Sequence, residues 1–464
     1  MLDFLRNELQ FILIVTVWVL STVFAGPVIY ALLPLTVFLF YRRESFGDIL
    51  FGFILILVLS DMTPDVFSMR KIKTAKYAYI IALSLILLVE QHRFAPLSGV
   101  FKVFLPFFAY AFLPLIFGND PITGIQKTLS YALLYLVVPN YVLLNFRQRG
   151  WDFFRDLVRF LVAFLVVMWL MKYLRIVPVF VAGRFRGLFG NPNGLGIFTF
   201  LVFTLYTILN HLKKDLFPFR QRMMNYAVIV FFLVLCGSRT SLVATGMFLL
   251  FSRFFSLSPF IGFIGFIAFL GIIELVSSNL SAIVISLGLQ EYFRVETLDD
   301  GSGRYIAWRF AWGKIQDYFM LGGGFGNDEY IMRHNYAYLR TLGHHGGVHN
   351  SYLTMWFNVG IVGILIYFRS FFLIFFKASK RVPMAFAAMF AVMFSVLYES
   401  WLTGSLNPFT IILVMIMTVV TEPDIVESDE REQAALDAEA SVHPDDLREL
   451  GPGTGTEGLT LRPS

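Results

Sequence analysis

Apolar runs recur from Phe11 to Val420 with only short polar breaks, each close to the roughly 20 residues a helix needs to cross a bilayer. No other feature restricts the fold as strongly. Of the 464 residues 57% are hydrophobic and 15% charged, and the mean hydropathy is +0.70, well outside the range of a water-soluble enzyme of this length. The sequence predicts an all-α polytopic transmembrane protein of about 12–14 spans, at 9–24, 27–41, 47–60, 77–90, 101–117, 128–145, 155–173, 195–212, 226–237, 241–254, 258–276, 350–376, 384–398 and 407–420. The first run leads directly into the second with no small-residue cleavage site after it, so it is predicted to be a retained span.

Charge sets the expected orientation. Arg42 and Arg43, Arg147 and Arg149, Lys213 with Lys214, Arg220 and Arg222, and Lys377 with Lys380 and Arg381 fall on alternate connections. Those connections are predicted to be cytoplasmic. Arg70, Lys71, Lys73 and Lys76 break the pattern, lying in a segment that this topology puts outside; either they form an interfacial basic stretch or an early span is misplaced. Residues 421–464 hold 12 acidic and 3 basic side chains, so residues 1–420 carry 34 basic and 20 acidic. A basic membrane body suits anionic lipids or phosphates as partners. The division expected is N-terminal transmembrane helices over 1–276, a large outer loop over 277–349, C-terminal transmembrane helices over 350–420, and an acidic, disordered cytoplasmic tail over 421–464.

Candidate chemistry collects on the side predicted to be external. Arg184 and Arg186 precede G-L-F-G-N-P-N-G and then a span; Asn191 and Asn193 can bond the open backbone there. Guanidinium groups beside a helix N-terminus suit a phosphate or diphosphate, and interfacial snorkelling with a helix cap is the alternative. Arg239, in C-G-S-R-T-S, has almost no loop around it, which points to a polar cavity or to an acid such as Glu399 as its partner. Arg304 opens an aromatic, amphipathic stretch, 304–319, expected to be a short helical lid.

His334, His344, His345 and His349 raise a zinc reading, but Gly346 and Gly347 interrupt the helix that would present the i, i+4 pair, and no third ligand is evident. Asp299 and Asp300 read as a solvated turn before a cation site. The glycine run 322–326 lacks the strand and helix of a dinucleotide motif and reads as a hinge or an anion nest. Cys236, alone in an apolar run, reads as packing.

His349 and Asn350, followed by Gly360-Ile361-Val362-Gly363, resemble the signature of the O-antigen ligase and polysaccharide polymerase family of bacterial envelope glycosyltransferases. The stretches R-F-R-G-L-F-G-N-P-N-G, G-S-R-T-S and G-S-G-R-Y-I-A-W before L-G-G-G-F-G resemble that family's other recurring segments, in the same order. The resemblance implies a GT-C-type fold in the bacterial cytoplasmic (inner) membrane with its site facing outward. The donor it implies is a glycan on polyprenyl diphosphate, undecaprenyl diphosphate being the usual carrier. The acceptor is a lipid A core, another glycan or a protein, in lipopolysaccharide or exopolysaccharide synthesis. It implies no cofactor, no metal and no nucleotide sugar, and no nucleic acid is expected as partner.

On that resemblance His349 is the catalytic base or orienting group. Arg184, Arg186, Arg239 and Arg304 bind the diphosphate, while Asn191, Asn193, Asn350, Tyr352 and Glu399 support them. In-line attack would invert the anomeric centre. Ligase and polymerase are not separated by these motifs. A flippase for lipid-linked glycan is the main alternative of another class, and a membrane anchor for an assembly complex is the third.

Overall fold

A computed structural model describes residues 2–62, 71–174, 177–278, 285–286, 304–344 and 346–428. Asp299, Asp300, His345, Arg70 and the tail beyond residue 428 lie outside the described residues. Each of the fourteen apolar stretches falls on a helix. These are α1 (Leu2–Phe24), α2 (Ile29–Arg42), α3 (Phe46–Asp61), α4 (Ile72–Val89), α5 (Gly99–Ala111), α6 (Pro121–Arg149), α7 (Trp151–Leu174), α8 (Pro192–Leu212), α9 (Phe219–Leu235), α10 (Arg239–Leu257) and α11 (Pro259–Ser278). After three short helices, α12 (Arg304–Ile315), α13 (Asn327–His334) and α14 (Tyr336–Thr341), come α15 (Ser351–Ser379), α16 (Met384–Tyr398) and α17 (Pro408–Thr421). Among the described residues, six helical segments are long and apolar enough to cross a membrane.

Burial follows position in the bundle. Residues 408–421 of α17 are buried all round, and α8 is buried along most of its length, which marks both as central helices. Helices α4 and α7 instead turn Leu85, Leu88, Val167 and Leu170 outward, as lipid-facing helices do. Tyr131, Tyr135 and Tyr367 meet in the core, with the hydroxyls of Tyr135 and Tyr367 3.1 Å apart and that of Tyr131 donating to Leu402 O at 2.7 Å. All three side chains are fully buried, so their hydroxyls need partners inside the bundle.

A two-residue hairpin is the exception to the all-α architecture. Strand β1 (Phe180–Val181) pairs antiparallel with β2 (Arg184–Phe185). The connecting Ala182 and Gly183 both have positive φ, 49° and 75°, as a two-residue hairpin turn requires.

Helix α15 is broken at Gly360 (φ 64°, ψ −178°). The glycine-rich segment after α12 repairs the break: Gly323 N donates to Phe357 O at 2.9 Å and Gly324 N to Asn358 O at 2.7 Å, while Ile361 N donates to Phe319 O at 2.9 Å. A Cβ on Gly322 would stand 2.5 Å from the Asn358 carbonyl. The amides of Gly322, Gly323 and Gly324 are all committed to backbone carbonyls, so this part of the G-G-G-F-G run braces the broken helix. Helix α12 docks on α15 through Ala307, Ala311 and Ile315, which share a small core with Leu339, Val348 and Phe357. Its exposed Tyr305 and Trp312 face away from that core.

At the opposite end the first residues of the acidic tail are ordered. Glu422 accepts hydrogen bonds from Ser98 Oγ and from Gly99 N, the latter at 2.9 Å. Arg147 pairs with Asp424 at 2.9 Å and Arg381 with Glu427. Ile425 is fully buried. These acids find basic partners on the bundle, and so residues 422–428 pack against it.

Candidate active site

Glu399, at the C-terminus of α16, is the hub. Its carboxylate is nearly buried, with Arg304 Nη2 2.7 Å from Oε1 and His349 Nδ1 3.5 Å from Oε2. Asn193 Nδ2 donates to the same Oε1 at 2.8 Å, and Arg184 Nη2 donates to Asn193 Oδ1 at 2.8 Å. Residues from three separate segments converge on one carboxylate, with Arg184 behind Asn193. A carboxylate so enclosed needs charge-assisted partners to be kept there.

The backbone holds His349 in an uncommon conformation. Its φ is +51°, a region unfavourable for side chains other than glycine that costs about 1–3 kcal/mol and persists only when surroundings impose it. The next residue supplies much of that constraint: Asn350 N donates to Ser400 Oγ at 2.9 Å, and Asn350 Oδ1 caps α15 by accepting from Tyr352 N and Leu353 N. Ser351 Oγ donates to Glu399 O at 2.6 Å, tying the acid's backbone to the same helix start.

On the other side His344 is buried, and its Nε2 lies 3.1 Å from both Gly346 O and Gly347 O. Facing two carbonyls, that nitrogen carries the proton. His344 thus fastens the loop on which His349 rides, and its ring stands edge-on to that of His349 with centroids 6.0 Å apart.

The His349 ring lies directly over Gly346, where an added Cβ would stand 2.6 Å from Nε2. Gly346→Ala should therefore displace the ring without disturbing the helices. A displacement near 1 Å is worth up to about 100-fold in rate, so turnover should drop in the variant while its yield and thermal midpoint in detergent match the wild type.

The other candidates divide. Arg184 joins the network through Asn193 and also donates from Nε to Cys236 O at 2.9 Å, which brings the turn carrying Arg239 to the same place. Arg239, itself exposed, opens α10 directly after the N-cap Ser238. Arg186 is buried, and its bonds include Pro178 O at 3.0 Å and Gly190 O at 3.4 Å, a role in holding the turn before α8. Asn191 is the N-cap of α8, accepting from Gly194 N at 2.8 Å. Tyr352, read from the resemblance as a supporting residue, donates its hydroxyl to Met393 O at 3.0 Å. One position into a helix that starts at Ser351, its side chain is carried onto α16. Asn350, assigned a similar task, spends its side chain on the helix cap.

Sequence reasoning missed the polar cavity beside this network, of about 360 Å³, whose lining includes Asp61, Lys73, Lys76, Lys127 and Asp328. The signal was present in the basic run that broke the orientation pattern. Lys76 donates to Leu406 O at 2.8 Å, and Lys127 pairs with Glu329 at 2.6 Å. Burial, then the neighbouring Glu329 charge, holds the Asp328 carboxyl above the usual carboxylate range, with Lys127 opposing.

Residues 224–368 match the family model described as O-antigen ligase. The matched span is about a third of the chain. It contains Arg239, Arg304, His349 and Asn350, whereas Arg184, Asn193 and Glu399 reach the site from outside the matched span. Comparison with curated proteins finds no match. Together with the apolar helices, this match supports a glycan-transferring ligase or polymerase role for a membrane protein.

Proposed function

We propose that the protein transfers a glycan from polyprenyl diphosphate to an acceptor hydroxyl at the outer face of the bacterial cytoplasmic membrane. The observation that carries this reading is the convergence of Arg304, His349 and Asn193 on Glu399. With Nδ1 turned toward the carboxylate, the imidazole of His349 keeps its proton on that side and offers Nε2 as base. The acceptor oxygen attacks the anomeric carbon, its proton passes to Nε2, and the carbon–oxygen bond to the diphosphate breaks with the electron pair leaving on the phosphate oxygen. Attack opposite the leaving group inverts the anomeric configuration. Arg304, with Arg184 and Arg239 behind it, neutralises charge as the diphosphate departs.

Ligase and polymerase differ only in the acceptor, and both use these residues in the same roles. The test is transfer by purified protein in lipid, given a polyprenyl-diphosphate oligosaccharide, with lipid A core or without. Products lengthening on the carrier mean polymerase. Transfer that needs the core means ligase. Lipid movement between leaflets with no transfer would overturn the reading in favour of a flippase.

Arg304→Ala should lower transfer by about 30- to 1000-fold, the loss of about 2–4 kcal/mol of charge stabilisation in the transition state. Arg186→Ala should act chiefly on stability, because its bonds to Pro178 O and Gly190 O fix a turn. Kinetics and thermal unfolding on the two variants side by side separate these effects.

A further inference from the structure

The cavity beside the glutamate hub has a lining unlike that of an anion site. Three lysines, Lys73, Lys76 and Lys127, face three acids, Asp61, Asp328 and Glu329, so a diphosphate would meet as many repelling groups as attracting ones. Between the charges stand hydroxyls, those of Ser60, Thr354, Ser400, Thr403, Ser405 and Tyr77. A wall with donors and acceptors interleaved, and an aromatic ring among them, matches a ligand that carries both functions on every face. A sugar ring is such a ligand.

The charged groups are also pre-bound. Lys76 Nζ donates to Leu406 O at 2.8 Å and to Ser60 Oγ at 3.4 Å. Lys127 is held by Glu329, and Asp61 accepts from Gly190 N at 3.0 Å. Such groups are oriented before a ligand arrives, which lowers the cost of seating it. One wall of the cavity is formed by Gly347 and Val348, immediately before His349, and by Ser400, immediately after Glu399. Ser400 Oγ both accepts from Asn350 N and bonds Thr354 Oγ1 at 3.0 Å, so a ligand bonded to this wall sits one residue from the base.

We propose that this cavity is the acceptor subsite and that it seats a sugar unit without net charge, its hydroxyl presented to His349 while the diphosphate occupies the arginine side. This rests on the glycosyl-transfer reading above and narrows it, since a sugar-filled acceptor site means that a glycan, not a polypeptide side chain, receives the transferred unit. Lys73 and Lys76, which run against the charge pattern of the loops, are thereby accounted for as part of the cavity wall.

The test uses the full-length protein in lipid nanodiscs and a photoreactive diazirine derivative of the host's own lipid-linked oligosaccharide, released from its carrier by mild acid. Labelling is expected on the peptides containing Thr354 and Thr403–Pro408. Ser405→Trp, which fills the cavity, should abolish the label and raise the acceptor KM at least 10-fold, with the donor KM unchanged. Thr403→Val, which removes one hydroxyl at nearly constant volume, should raise it by a smaller factor and guards against misfolding of the bulky variant. Label elsewhere, displacement of the label by inorganic pyrophosphate, or an unchanged acceptor KM in Ser405→Trp would overturn the assignment. Wild-type protein that takes the label at these peptides but transfers nothing would leave the sugar site standing and sink the enzymatic reading.

Discussion

Replacing His349 by Ala is expected to lower glycan transfer by about 10²- to 10⁴-fold, the range for loss of a positioned general base. Polyprenyl-diphosphate binding should stay near the wild-type level, because Arg304 keeps its 2.7 Å contact with Glu399 and the arginine side is untouched. The strained backbone offers a second and sharper variant. With φ at +51°, residue 349 is in a conformation that glycine adopts without steric cost, so His349→Gly relieves about 1–3 kcal/mol of strain against about 0.4–1 kcal/mol lost to glycine's freedom in the unfolded chain, and should raise stability slightly while transfer is lost just as fully. Opposite signs in stability and activity are what a residue held under strain for chemistry produces. A purely structural histidine would lose both together, and thermal unfolding in detergent beside a transfer assay separates the two. Normal transfer by His349→Ala would remove it from the mechanism altogether.

How far the sequence reached depended on the range of the interactions. Every apolar run became a helix, because a span's length and composition are local properties of the chain. The positions of Arg304, His349 and Glu399 at one end of the bundle followed from counting spans. Their convergence did not: the sequence offers Glu399 as one alternative for Arg239, beside a polar cavity, and the pairing that forms is with Arg304, 95 residues away in sequence. Arg184 and Arg186 looked equivalent in one motif, yet the chain turns at Gly187 (φ 57°) just past β2, so one guanidinium joins Asn193 and the other is buried behind the turn. Gly360 was legible only as a recurring letter. Its positive φ has meaning once the segment from Phe319 to Gly324 is laid against the broken helix, a contact no local pattern encodes.

The cavity teaches the complementary lesson. Lys73 and Lys76 lie three residues apart, on one side of α4, and were conspicuous only as an exception to the distribution of positive charge. Asp61 stands just past the apolar run 47–60. What brings them together is the packing of α3 and α4 against the loop before α17, where Leu406 supplies the carbonyl for Lys76. An exception to an orientation rule therefore marks a place to look for buried polar chemistry, since charge kept against the rule needs internal partners.

Glu399→Gln should be almost as damaging as loss of the histidine, and for a different reason. The amide preserves size, and its single oxygen can still accept from Arg304 Nη2 and Asn193 Nδ2, both of which bond Oε1. That arrangement turns the new NH₂ toward His349 Nδ1, where Oε2 had been. An amide donor facing Nδ1 forces that nitrogen to be the acceptor and moves the imidazole proton to Nε2, the position from which the base must act. Transfer is then expected to fall about 10²- to 10⁴-fold, as when a serine protease loses the acid that fixes its histidine tautomer. Donor affinity should change little because the guanidinium contacts survive. Glu399→Asp, which keeps the charge on a shorter arm, should retain more activity than Gln. Equal transfer by the Glu and Gln proteins would assign Glu399 to the scaffold alone and leave the orientation of His349 to the loop that His344 fastens.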